Sequence, residues 1–73
     1  MVKRAIKKEI EAKQNELKMN LSNNYKDLAH TALKELIELL EKYHASGDLK
    51  EKDYHKYRAD ADLYAIRMQN YHH

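Results

Sequence analysis

The stretch that decides the fold is Tyr25–His44, YKDLAHTALKELIELLEKYH. At about 100° per residue its apolar side chains gather in an arc of roughly 180°, whereas an ordinary surface helix needs an apolar arc of only about 100°. The members of this arc are Tyr25, Leu28, Ala29, Ala32, Leu33, Leu36, Ile37, Leu39, Leu40 and Tyr43. An arc this wide predicts a central helix that packs against two neighbours at once.

The preceding segment predicts the first neighbour. Residues 2–19 are rich in Lys, Glu, Ala and Gln, which favour helices. Only a narrow stripe of this helix is apolar, and Lys13 and Gln14 interrupt it. The stripe consists of Val2, Ile6, Ile10, Leu17 and Leu21. A stripe this thin touches one neighbour, so we expect a basic helix at the periphery.

Two short segments predict where the helices end. Asn and Ser side chains in NLSNN, residues 20–24, compete for backbone hydrogen bonds and favour a break. Asn24, three residues before Asp27, has the spacing of an N-cap for the second helix. Because the break contains neither Gly nor Pro, one continuous helix is the alternative. Gly47, the only glycine, predicts the end of the second helix.

The third helix carries two apolar faces. The first is a heptad seam formed by Tyr54, Tyr57, Ala61, Tyr64, Met68 and Tyr71. The second is shorter, lies nearly opposite, and consists of Ala59, Leu63 and Ile66. A helix with two opposed apolar faces lies between two partners. The second helix is one of them, and either the first helix or a second copy of the chain is the other.

These patterns predict an all-α fold. We expect one small domain of 73 residues, a three-helix bundle built on a long antiparallel hairpin, with helices over about residues 2–19, 25–46 and 51–71. A chain this short buries little surface, so association of subunits would add stability. We therefore also predict a homodimer.

The sequence contains no recognisable catalytic motif. It lacks a glycine-rich loop and a nucleophile elbow, and without cysteine it holds neither a disulfide nor a thiolate zinc site. Three His–carboxylate pairs have helical spacing, namely Asp27–His30, Glu41–His44 and Glu51–His55. Such pairs near helix ends are more often solvated side chains than metal ligands. We expect no enzyme, no cofactor and no metal.

Charge is distributed unevenly. Fourteen basic and twelve acidic residues give a net charge of +2, with the excess on the first segment. Its candidate nucleic-acid contacts are Lys3, Arg4, Lys7, Lys8 and Lys18. They lie away from the apolar stripe, where they either line a phosphate backbone or form a solvated face. The absence of a signal-like or membrane-spanning apolar run predicts a cytoplasmic protein without membrane contact.

The most consistent interpretation is a non-enzymatic small regulatory protein that binds another protein through helical surfaces. The candidate interface residues are Tyr57, Ala59, Leu63, Tyr64, Ile66 and Tyr71. Abundant Lys, Asn and Tyr, with no Pro, Trp, Phe or Cys, are typical of an AT-rich bacterial, plasmid or phage gene. The alternative is an accessory factor that binds nucleic acid through the basic face of the first helix.

A quadruple charge reversal separates these two functions. The variant carries four changes to Glu, at Lys3, Arg4, Lys7 and Lys8. Its helical content should be unchanged, because none of these residues belongs to the apolar stripe. If the wild type binds DNA or RNA in a low-salt mobility-shift assay, the variant should lose that binding. No binding by the wild type would retire the nucleic-acid function.

Overall fold

Three helices pack side by side with the second in the middle. The structure, a computed structural model, describes residues 4–69, which form α1 (Arg4–Ser22), α2 (Lys26–Ser46) and α3 (Glu51–Gln69). α2 packs against both α1 and α3, whereas within residues 4–69 no Cα atom of α1 lies within 8 Å of a Cα atom of α3. Two short connections make neighbouring helices antiparallel, so α1 runs parallel to α3. The predicted all-α three-helix fold is confirmed.

The turn between α1 and α2 differs from the prediction. α1 continues to Ser22, and Asn24 adopts the left-handed conformation with φ of 61°. The Asn24 N–H donates to the Leu21 carbonyl at 3.2 Å and the Tyr25 N–H donates to the Asn20 carbonyl at 2.8 Å. This pair of bonds is a Schellman motif, which closes a helix at its C-terminus.

Asn24 therefore ends α1 instead of starting α2, and its prediction as an N-cap is wrong. The N-cap position of α2 is Tyr25, which makes no side-chain capping hydrogen bond. Asn fits both positions in sequence because it favours N-caps and also tolerates the left-handed region better than most residues. The alternative of one continuous helix is excluded by the same turn.

Gly47 ends α2 as predicted. Its φ is 84°, and its N–H donates to the His44 carbonyl at 3.2 Å. Two residues later, the Leu49 N–H donates to the Tyr43 carbonyl at 3.0 Å, and the Leu49 side chain is 1% exposed. The connection thus folds under the end of the hairpin and contributes to the core.

The core is apolar and draws on all three helices. Within residues 4–69 no polar or charged side chain is buried. The buried side chains are Ile6, Ile10, Leu17, Leu21, Ala29, Ala32, Leu33, Leu36, Leu40, Leu49, Ala61 and Met68. α1 supplies four of them, and Ile10 and Leu17 are completely buried.

The apolar stripe of α1 is buried against one neighbour, α2. Lys13 and Gln14 do not interrupt the stripe; they are partly buried on either side of it. The four described stripe residues therefore form one continuous contact with the wide apolar arc of α2. Val2 lies outside the described residues.

The apolar arc of α2 is used only in part. Tyr25 and Leu28 are 54% and 55% exposed, so the first turn of the helix lies outside the core. The buried part of α2 begins at Ala29.

Among residues 4–69 there is no helix whose length and apolarity suffice to cross a membrane.

Substitution of Asn24 tests the α1–α2 turn. A left-handed conformation costs an ordinary L-residue about 1–2 kcal/mol, and glycine avoids that cost. We expect Asn24→Ala to lower the free energy of unfolding by about 1 kcal/mol and Asn24→Gly to raise or preserve it. Urea unfolding measures both values. Asn23→Ala is the matched control, and an Asn24→Ala variant as stable as that control would contradict the turn.

Candidate interaction surface on the third helix

The inner face of α3 packs toward α2. Ala61 is completely buried and Met68 is 6% exposed, while the rings of Tyr54, Tyr57 and Tyr64 are partly buried against the core. These positions belong to the heptad seam that the sequence analysis identified. Tyr71, the last member of that seam, lies outside the described residues.

The outer face of α3, formed by Ala59, Leu63 and Ile66, points away from the core. Leu63 is 64% exposed and Ile66 is 56% exposed. Ala59 is exposed as well. Neither α1 nor α2 covers this face, because on a helical wheel it lies about 180° from the buried Ala61 and Met68. Of the two partners considered for this face, the structure removes α1.

A groove of about 260 Å³ runs between α1 and α3, beside the outer face. Its lining residues are Gln14, Lys18, Asp60, Leu63, Tyr64 and Arg67. The groove thus brings together Leu63 and Tyr64 from the predicted interface and Lys18 from the predicted basic set. Leu63 belongs to both the groove and the outer face, which makes the two one continuous surface.

Three lining residues of the groove were not predicted from the sequence as site residues: Gln14, Asp60 and Arg67. Asp60 and Arg67 share one flank of α3 because seven residues make two helical turns. That periodicity was available in the sequence. What the sequence left open was the position of α1 beside this flank, which follows from the parallel course of α1 and α3.

Charges of opposite sign occupy different parts of this surface. Burial raises the pKa of the Tyr57 phenol, and the nearby carboxylates of Glu11, Asp53 and Asp60 raise it further. Within the groove, Lys18 and Arg67 supply positive charge. The Arg67 guanidinium carbon lies 5.9 Å from the centroid of the Tyr64 ring, within the range of a cation–π contact.

Polar contacts at the closed end of the hairpin fix α3 against α2. Glu41 accepts hydrogen bonds from the Tyr54 hydroxyl and from Arg58 Nη1, the latter at 2.9 Å. The Nε2 atom of His44 lies 2.6 Å from a Glu51 carboxylate oxygen, and the His44 ring stacks on Tyr54 with centroids 3.9 Å apart. These contacts accompany the burial of Ala61 and Met68, which leaves the outer face of α3 in solvent.

Glu41 and His44 take different partners, whereas Glu51 and His55 stay within ion-pair distance. Glu41 binds Tyr54 and Arg58, whereas His44 turns to Glu51. His55 Nε2 lies 3.9 Å from the other Glu51 oxygen. Across residues 4–69, no three His, Cys, Asp or Glu side chains are grouped so that they could hold a metal ion.

A second set of polar contacts joins α1 to α2. Lys13 Nζ lies 2.6 Å from a Glu35 oxygen, and the Tyr43 hydroxyl donates to Glu9 at 2.9 Å. The hydrogen bond to Glu35 raises the pKa of Lys13, and the hydrogen bond to Glu9 raises the pKa of Tyr43. All four groups are at the surface, so each contact adds little stability.

The basic residues of α1 are exposed to solvent. Arg4, Lys7, Lys8 and Lys18 are exposed, and contacts within residues 4–69 pair none of them with a carboxylate. Of these four, Lys18 lines the groove. Lys3 lies outside the described residues.

Comparisons with protein-family models, with curated protein sequences and with solved structures found no match for this chain.

Replacement of Tyr57, on the inner face of α3, tests its environment. Because the folded-state pKa of Tyr57 is raised, its protonated form stabilises the fold fully below the unfolded pKa of about 10, and this contribution is lost as pH rises through the folded pKa. We expect Tyr57→Phe, compared with the wild type, to lose less stability between about pH 9 and pH 11 in urea unfolding.

Tyr25→Phe is the control for this measurement, because the Tyr25 ring is 54% exposed and lies outside the groove. The control should lose stability with rising pH as the wild type does. Identical alkaline profiles for Tyr57→Phe and the wild type would contradict the raised pKa of Tyr57.

Proposed function

We propose that this chain is a non-enzymatic interaction protein that binds another protein through the outer face of α3 and the adjoining groove. One observation carries the proposal. Leu63 and Ile66, two large aliphatic side chains about one helical turn apart, are each more than half exposed on the face opposite the core. Single exposed apolar residues are ordinary on protein surfaces, whereas contiguous ones are typical of binding sites.

The neighbourhood of these side chains supports the same function. Protein interfaces combine an apolar centre with a polar rim, and aromatic residues and Arg are enriched in them. Here Leu63 and Ile66 supply the centre, Tyr64 lies in the groove beside Leu63, and Arg67 lies on the rim. A helix of a partner protein would bury this surface by packing along α3.

Nucleic-acid binding is the second candidate function. Its supporting observation is the set of exposed basic residues on α1 that have no carboxylate partner within the described residues. Such contacts would bind phosphates independently of sequence and weaken steeply with salt. The tyrosines add little here, because the rings of Tyr54, Tyr57 and Tyr64 pack on the core and offer no free stacking platform.

Affinity capture from the native host tests the protein-binding function. The baits are the wild type, a Leu63→Lys variant, and a Met19→Lys variant as the matched control. Met19 is an exposed aliphatic residue of α1 with the same 64% exposure as Leu63. We expect a protein that is retained by the wild type and by Met19→Lys to be lost from Leu63→Lys, because a charge at Leu63 opposes burial of the surface.

Circular dichroism melts of all three baits confirm that each is folded. Equal retention of every captured protein by Leu63→Lys and the wild type would refute binding through α3.

A further inference from the structure

The outer face of α3 is wide enough to contact one helix. At 100° per residue, Ala59, Leu63 and Ile66 span an arc of about 60°, and their spacing of four and then three residues is that of alternating d and a positions in a heptad. A narrow seam of this kind is typical of a coiled-coil contact with one partner helix. The occupant of this face is therefore expected to be a helix that runs nearly parallel or antiparallel to α3.

The charges beside the seam favour α3 of a second copy as that helix. Asp60 and Arg67 occupy equivalent flanking positions on one side of the seam, two turns apart, and both lie at its groove edge. In an antiparallel pair, equivalent flanking positions of the two helices face each other. An acidic residue two turns before a basic one is therefore complementary to its own copy.

The register of such a pair follows from the seam. When Leu63 of one copy lies beside the partner's Ile66, the two-fold axis passes between positions 64 and 65. This register brings Asp60 beside the partner's Arg67, and the symmetry repeats the ion pair. Two aliphatic layers are thus flanked by two ion pairs.

The other antiparallel register is unfavourable. If Leu63 lay beside the partner's Ala59, Asp60 would face the partner's Asp60 and Lys56 would lie against the partner's Ile66. Like charges would then flank the seam and a lysine would enter it.

A parallel pair is also unfavourable. It would place Lys56, which continues the seam toward the N-terminus of α3, directly beside the partner's Lys56. The antiparallel register separates these two lysines by about 25 Å along the helix axis. Of the three arrangements, the antiparallel pair with Leu63 beside the partner's Ile66 alone buries the aliphatic residues and matches the charges.

We propose that two copies of this chain associate through antiparallel α3 helices, with Leu63 packed on the partner's Ile66 and Asp60 paired with the partner's Arg67. The inference rests on the proposed function of this face in protein binding and identifies the partner as the chain itself. With three seam positions per copy the interface is small, so the association is weak and its measurement needs protein up to about 1 mM.

Charge exchange tests the pairing. Sedimentation equilibrium should show a dimer for the wild type. Asp60→Arg replaces two attractions with two repulsions, and so does Arg67→Asp, so each should weaken dimerisation about tenfold or more at low salt. The double variant Asp60→Arg/Arg67→Asp should recover most of the lost affinity. Leu63→Arg should abolish the dimer while the chain remains folded in a circular dichroism melt.

Orientation has a separate test, because the chain contains no cysteine. In the proposed register two copies of residue 59 lie about 16 Å apart along the axis, too far for a disulfide, whereas a parallel pair would bring them together. Ala59→Cys should therefore form no disulfide-linked dimer on mild oxidation. Rapid crosslinking of that variant would overturn the antiparallel arrangement. The arrangement would also be overturned if the double charge variant dimerised no better than the single charge variants.

The outcomes also separate this inference from the proposed function. A wild type that stays monomeric at about 1 mM overturns self-association. If Leu63→Lys still loses a captured partner in that case, the protein-binding function stands. A dimer that Leu63→Arg leaves intact forms through another surface and overturns the inference as well.

Discussion

The structure depends on the burial of α2 between two helices whose backbones stay apart. Leu36 and Leu40 are completely buried, and burial of a leucine side chain contributes about 1.5–3 kcal/mol. The free energy of unfolding of a 73-residue domain is a small difference between large opposing contributions. Burial of a few leucines therefore decides whether the domain is stable. Because α2 supplies the shared backbone contact, its packing places α1 and α3 relative to each other, and this placement creates the groove.

Local signals in the sequence were sufficient for most of the fold. The half-circumference arc of α2 predicted two neighbours, and Gly47 predicted the end of α2, because a glycine after a periodic segment has one dominant interpretation. Asn24 does not have one dominant interpretation, since asparagine is common both before a helix and after one. The prediction failed where the chemistry of a residue fits two backbone conformations and only the hydrogen bonds of the folded turn distinguish them.

For the interaction surface, the individual helix faces were predictable but their assembly was not. Periodicity along α3 separates Leu63 and Ile66 from Ala61 and Met68, and the structure exposes the first pair and buries the second. Lys18 and Arg67 are 49 positions apart in the chain, and no local pattern places them beside the same groove. The narrow apolar stripe of α1 is buried because the apolar arc of α2 is wide enough to cover it.

The left-handed turn at Asn24 has a consequence for how the chain connects its helices. Asn24 is the only non-glycine residue within residues 4–69 with a positive φ, and none of the residues between α1 and α2 is a Gly or Pro that would resist helix formation. If Asn24 and Tyr25, whose ψ is 77°, both took helical angles, Arg4–Ser46 would form one helix about 65 Å long. The buried side of α1 would then be out of reach of its own α2 and would find the same partner only in another molecule, which is domain swapping. The backbone angles of Asn24 and Tyr25 thus decide whether the contact between α1 and α2 forms within a chain or between two chains.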